Sequence, residues 1–186
     1  MRHLLLRLLA AVACFGIFSL SRTSAATKPD QHDKPNFTGA WVLDLKASTS
    51  LDPLMTQIGA SWLDRKYAAH IELEATLHQT ADVLTIAARG PAFALNQTLY
   101  LDGRNDPSRN LQILGATSVN TKTVWSKDNK QLIETHHIRT KQGRDGQLII
   151  KRNLIDDGKA VVVAMILKLK EAPNPTSARQ IWRKRT

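Results

Sequence analysis

From Phe37 to the end of the chain, apolar and polar residues alternate with a period of two, the pattern of strands that bury one face. In TGAWVLDL, Gly39, Trp41, Leu43 and Leu45 fall on one face and Ala40, Val42 and Asp44 on the other. The rhythm resumes at 70–78, 82–89, 92–101, 110–115, 118–126, 131–139, 147–155, 159–169 and 178–185. The separators are short and turn-like, among them DGRNDP at 102–107, KDNK at 127–130, QGRDG at 142–146 and IDDGK at 155–159. One interval breaks it. LDPLMTQIG and WLDRKYAAH carry helical spacing, with Ser50 and Ser61 placed as N-caps and Gly59 at the break between them. The pattern predicts an all-β fold: a ten-stranded antiparallel up-and-down β-barrel with a short helix-turn-helix lid between strands one and two.

The chain before Phe37 does not alternate. Its first 26 residues, MRHLLLRLLAAVACFGIFSLSRTSAA, set a basic start before an apolar run from Leu8 to Leu20 and end in small residues. That order reads as a secretory signal peptide cleaved near Ala25 or Ala26, because the run is shorter than the roughly 20 residues a spanning helix needs. Acylation at Cys14 fits poorly, since apolar residues continue past it and Arg7 interrupts the stretch before it. Residues 27–36, TKPDQHDKPN, read as a disordered polar leader, and 37–186 as one barrel domain. The expected location is periplasmic or secreted. Cys14 is the only cysteine and leaves with the signal, so the exported domain has no disulfide and no thiol chemistry.

Charge changes this picture little. The chain carries 26 Lys and Arg against 16 Asp and Glu, a net +10; removing Arg2, Arg7 and Arg22 leaves 23 against 16, or +7. The excess is scattered apart from the terminal RQIWRKRT, and export argues against nucleic acid as its partner.

Candidate chemistry collects on two strands. In 147–155, Arg152 shares the more apolar face with Leu148, Ile150 and Leu154, where an unpaired charge is costly. It needs an anion, either a ligand's or an internal carboxylate such as Glu134. In 131–139, Glu134 and His136 share one face; His136 and His137 point oppositely and make no metal motif. There is no Gly-x-Ser-x-Gly and no phosphate loop, and a Glu134–His136 pair lacks a nucleophile, so no enzyme activity, metal or cofactor is expected. AVVVAMIL at 160–167 is apolar on both faces, which calls for a covered outer face or leaves an exposed strip.

FTGAW resembles the Gly-x-Trp signature on the first strand of the calycins, the lipocalins and fatty-acid-binding proteins. A strand, two short helices and nine closely spaced strands resemble the fatty-acid-binding branch in particular. LDPLMTQIGASWLDRKYA is similar to its helical pair, LIIKRNLIDDGKAVVV to its antepenultimate and penultimate strands, and RQIWRKR to its last; the likeness runs from Phe37 to Arg185. It implies a barrel whose floor is plugged by Trp41, with Gly39 admitting a neighbouring backbone. It also implies that Arg152, in Ile150-Lys151-Arg152, holds a lipid carboxylate, and that Glu134 and His136 point inward as polar groups. The family's second anchor, an Arg-x-Tyr in the last strand, falls on Gln180 and Trp182, a departure that weakens a carboxylate clamp. A signal peptide is a second departure from the cytosolic animal proteins.

The resulting expectation is an exported carrier of a fatty acid or similar hydrophobic ligand. The alternative is a non-catalytic structural or interaction barrel with a packed interior. Trp62, Arg65 and Lys66 mark the lid as a portal that touches anionic membrane transiently, unless Trp62 packs onto the barrel rim. Intact-mass measurement of exported protein is expected to show a start near Ala26 or Thr27. A retained apolar segment, or a diacylglyceryl adduct on Cys14, would overturn the cleavage.

Overall fold

The computed structural model describes residues 34–185, apart from 92, 107–108 and 112–113. The signal peptide and residues 27–33 of the leader lie outside the described residues. Strand β1 (Gly39–Asp44) is followed by helices α1 (Asp52–Ile58) and α2 (Trp62–His70). Then come β2 (Glu74–Gln79), β3 (Val83–Gly90), β4 (Phe93–Tyr100), β5 (Asn105–Asp106), β6 (Arg109–Leu111) and β7 (Ala116–Trp125). The chain ends with β8 (Leu132–Arg139), β9 (Asp145–Ile155), β10 (Ala160–Leu169) and β11 (Thr176–Lys184). All pairs are antiparallel, in the order β4-β3-β2-β1-β11-β10-β9-β8-β7, with β5 and β6 both against β7. Those two segments share one strand position, which makes ten positions in a nearly closed barrel.

Two boundaries differ from the sequence pattern. The strand expected at 110–115 is the split pair β5 and β6. The strand expected from residue 70 begins at Glu74, because α2 continues through His70 and the linking Ile71 and Leu73 bury themselves against Leu43 instead. The helix caps also divide. Ser61 closes a capping box with Asp64, whereas the N-cap of α1 is Leu51 without a side-chain bond, and Ser50 only accepts from the Asp52 N–H at 3.1 Å. Gly59 ends α1 in the left-handed conformation at φ +86°.

Two apolar clusters occupy the barrel ends. At the lid end, Leu54, Met55 and Ile58 of α1 are fully buried on Ala116, Ile138, Leu148 and Leu167. Each such side chain contributes about 1.5–3 kcal/mol of burial. At the floor, Trp41 and Phe37 pack with Leu77, Leu84, Leu99 and Leu132. The Trp41 indole N–H donates to the Phe37 carbonyl at 3.0 Å, and Phe37 stacks on Trp125 with ring centroids 6.2 Å apart. The last leader residues continue this floor: Gln79 donates to the Pro35 carbonyl, and the Lys34 ammonium stands 5.6 Å from the Trp125 ring.

At Gly39 the structure shows a conformational constraint. The atoms nearest a Cβ there would belong to the Lys184 and Trp41 side chains, at 3.3–3.5 Å. What requires glycine is φ of +153°, a conformation L-residues rarely adopt. On the outside of β10, Val162, Ala164 and Ile166 are half-buried beside Asn153, Lys151 and Ile149, so neighbouring side chains shade this face. Replacing Gly39→Ala is expected to cost about 1–3 kcal/mol in urea unfolding. An unchanged midpoint would show that the positive φ is not needed.

Candidate functional site

Between the floor and the lid-end cluster lies a cavity of about 540 Å³. The space exists because small residues face inward where large ones would fill it. Ala75 on β2 pairs with Ala88 on β3 beside Trp41, and all three line the cavity together with Ile86, Val161, Val163 and Met165. Toward the helices the lining is Leu51, Ala68 and Ile71. The interior is therefore not filled by side chains, as the packed-barrel alternative requires.

Polar groups converge on one wall. Arg152 on β9, Val163 on β10 and Gln180 on β11 form one row of directly paired residues, and all three line the cavity. Trp182, the next inward residue of β11, lines it too. The Arg152 guanidinium forms an ion pair through Nη1 with Oε1 of Glu134, which is fully buried on β8. Burial pulls the Arg152 pKa down to about 10, so the side chain remains a cation at neutral pH, and the adjacent carboxylate favours the same charged form.

Behind this pair runs a hydrogen-bonded chain, of which Gln97 also lines the cavity. Glu134 Oε2 accepts from Nε2 of Gln97 at 3.2 Å and lies 3.1 Å from Nε2 of His136. His136 Nδ1 lies 2.9 Å from the Thr121 hydroxyl and 3.4 Å from that of Ser118, and the two hydroxyls are 3.0 Å apart. With Glu134 ionised, Nε2 of His136 donates to it, and Nδ1 meets the Thr121 hydroxyl. A β-bulge between Ser118 and Asn120 makes this possible. It turns Ser118 and Thr121 inward together and throws Val119 into solvent. Gln97 comes from β4, across the unpaired side of the barrel, and ties that strand to the network.

The sequence placed Arg152, Glu134, His136, Gln180 and Trp182 on inward faces, and the structure gathers them on one wall. It divides their positions: Arg152, Gln180 and Trp182 reach the cavity, while Glu134 and His136 stand behind it. Ser118, Thr121 and Gln97 were missed. The available signal was a phase slip in 116–125, where Ala116 and Ser118 occupy even positions and Thr121 and Thr123 odd ones, all four of them buried. Among the described residues, no cluster of three or more His, Cys, Asp or Glu side chains could hold a metal.

The lid residues separate as well. Trp62 is 64% exposed and Leu63 69%, so Trp62 does not pack onto the rim. Lys66 stands 6.0 Å from the Trp62 ring. Arg65 instead turns to Asp52 at 3.0 Å and ties α2 to α1.

No protein-family model matches the chain, and no curated protein matches it in sequence. Solved structures do. The REP1-NXSQ fatty acid transporter superposes with a TM-score of 0.58 at 19% identity, covering 80% of this chain and 96% of its own. Apo lipid binding protein 8 of Caenorhabditis elegans gives 0.61 at 13%, covering 80% and 95%. The Schistosoma mansoni fatty acid binding protein in complex with arachidonic acid gives 0.57 at 17%, covering 83% and 99%. The fold of this chain is that of the fatty-acid-binding-protein barrels.

Proposed function

We propose that the chain is an exported carrier that takes a fatty acid or similar single-chain lipid into the barrel. The apolar tail lies along Ala75, Ile86, Ala88 and Val161, and the head group meets Arg152 and Gln180. The observation that carries this reading is the cavity itself, about 540 Å³ of mostly apolar lining with a few convergent polar groups. Its structural neighbours include a fatty acid transporter and a fatty acid binding protein holding arachidonic acid, which supports the same class of ligand. An enzyme is a poorer reading. The hydroxyl–imidazole–carboxylate series Thr121, His136 and Glu134 lies behind the cavity lining, where no substrate atom reaches the hydroxyl.

Loading and release use the lid. Helix α1 is anchored by three fully buried side chains, whereas α2 buries only Ala68 and presents Trp62, Leu63 and Lys66 to solvent. An exposed indole and leucine beside a free ammonium suit an anionic bilayer surface. Arg65, held by Asp52, serves the helix pair more than the membrane.

Val163→Trp is expected to fill the cavity, reduce lipid binding more than about tenfold and leave the unfolding midpoint close to wild type. In a packed interior the same change would cost about 1–3 kcal/mol, so a large loss of stability counts against the cavity. Transfer of a fluorescent fatty acid to vesicles is expected to speed up with vesicle concentration and anionic lipid content. It should slow in Trp62→Ala and Lys66→Glu more than in Arg65→Glu. Rates indifferent to vesicle concentration and charge would reduce α2 to a passive cover.

A further inference from the structure

Along the sequence the basic excess is scattered, and the barrel gathers part of it on the outside of one wall. Lys122, Lys151 and Lys168 point outward from β7, β9 and β10, each between inward residues that are buried. The residues paired with them carry no carboxylate: Asn105 and Thr135 beside Lys122, Ile133 and Ala164 beside Lys151, and Gln147 beside Lys168. Among the outward residues of β7–β10 the one acid is Asp145, which Arg139 holds at 2.9 Å and Lys170 at 3.6 Å. Half-buried Ile133, Ile149 and Ile166 lie between the lysines. On the β2–β3 hairpin, by contrast, Glu74 stands opposite Arg89 and binds Arg185, so that side carries no such excess.

The wall ends in a shallow groove of about 530 Å³, where His137, Gln147 and Lys168 run beside Arg139, Asp145 and Lys170. Val119, thrown outward by the bulge in β7, forms one side of it and is 59% exposed. The groove adjoins the start of α2. Between Arg139 and Asp145, the β8–β9 turn lays Gln142 against Gly59, and its Lys141 lies with Ala60 against Gly115. Exposed Trp62 and Leu63 follow directly, so the apolar tip of α2 continues the surface of the wall.

We infer that the outer face of β7–β10 is a docking surface for an anionic lipid bilayer, with phosphate head groups seated in the groove. This rests on the lipid-carrier reading above and adds a second membrane contact to that of α2. The chemistry favours a bilayer over an acidic protein. Lysines set apart across three strands, on long flexible stems, match mobile anionic head groups, and the isoleucines and Val119 match the acyl boundary. A specific protein partner presents a fixed array of anions, a task that the planar fork of arginine suits better than lysine. The uneven charge also orients the barrel, because an anionic surface draws this wall and not the β2–β3 hairpin. With the wall seated, the start of α2 reaches the same surface, and Trp62 settles at the headgroup level where indoles gather.

The test is co-sedimentation of the purified, lipid-free protein with vesicles of phosphatidylcholine alone and of phosphatidylcholine mixed equally with phosphatidylglycerol. Wild type is expected to bind the mixed vesicles about tenfold more tightly or better, and to lose that advantage as salt rises. Lys122→Glu combined with Lys168→Glu should weaken binding to the mixed vesicles more than about tenfold. Lys127→Glu combined with Lys130→Glu makes the same change of charge in the β7–β8 turn, at the floor end, and should cost less than about threefold. All four lysines are exposed, and unfolding midpoints report whether each variant keeps the fold. If the glutamates unfold the wall, Lys122→Gln with Lys168→Gln is the milder pair, with a smaller loss expected in the same direction. Equal losses from the wall and floor pairs would leave only net charge at work and overturn the inference. A wall variant that binds as wild type does also overturns it, the result expected if the wall serves an acidic protein or α2 makes the whole contact. Cargo is measured separately, as binding of a fluorescent fatty acid without vesicles, and both variants should keep wild-type affinity. Failure of the wild type to take up the fatty acid would remove the lipid-carrier reading, while the vesicle result decides the docking surface on its own.

Discussion

The contact on which the rest of the interior depends is the buried ion pair between Arg152 and Glu134. Each charge alone would be costly away from water, and together they are tolerated only if their remaining hydrogen-bonding capacity is met. Much of the surrounding structure meets it. Gln97 and His136 take up one carboxylate oxygen, Thr121 and Ser118 hold the imidazole, and a β-bulge is spent on bringing both hydroxyls to the same ring nitrogen. Glu134 stands diagonal to Arg152 across the β8–β9 ladder, where long side chains reach one another. The pair and its hydrogen-bonded partners thus staple β7, β8 and β9 and, through Gln97, the strand across the open side.

That arrangement explains how the barrel keeps a cavity without collapsing. The floor and lid-end clusters supply the burial expected of a domain this size, and the polar wall holds β7, β8 and β9 in place between them. Alanines at 75 and 88 face Trp41 and leave room that a larger pair would occupy. Protein interiors rarely leave such space unfilled, so its persistence beside convergent polar groups is the mark of a binding site.

The two helices are unequal partners in closing it. Helix α1 is part of the core: its apolar side chains are sealed against four strands, and Arg144 from the β8–β9 turn bonds to the side chain and carbonyl of Gln57. Helix α2 is capped well by Ser61 and Asp64 but buries almost nothing. A helix that is well made locally and weakly attached globally is suited to move as a unit, and low local burial is where opening is least costly.

The sequence by itself determined the strands, the helical insert and the inward faces, because these are local: period two, period 3.6 and cap chemistry are written within a few residues. Arg152 on an apolar face already demanded an anion, and Glu134 on the inward side of its own strand was a visible candidate. Tertiary structure alone brought Glu134 against Arg152, since their meeting depends on the register of β8 against β9. It also brought in Gln97 from a strand 37 residues away in sequence, and Ser118 through a bulge. The bulge hides in SVNTK, where small polar residues fit either face. Trp62 shows the same limit from the other side. Helical spacing placed it near Arg65 and Lys66, but only the packing of α1 decided which face of α2 was left for solvent. Local pattern assigns a side chain to a face; which distant side chain meets it there is decided by register and packing, where small shifts redirect every contact.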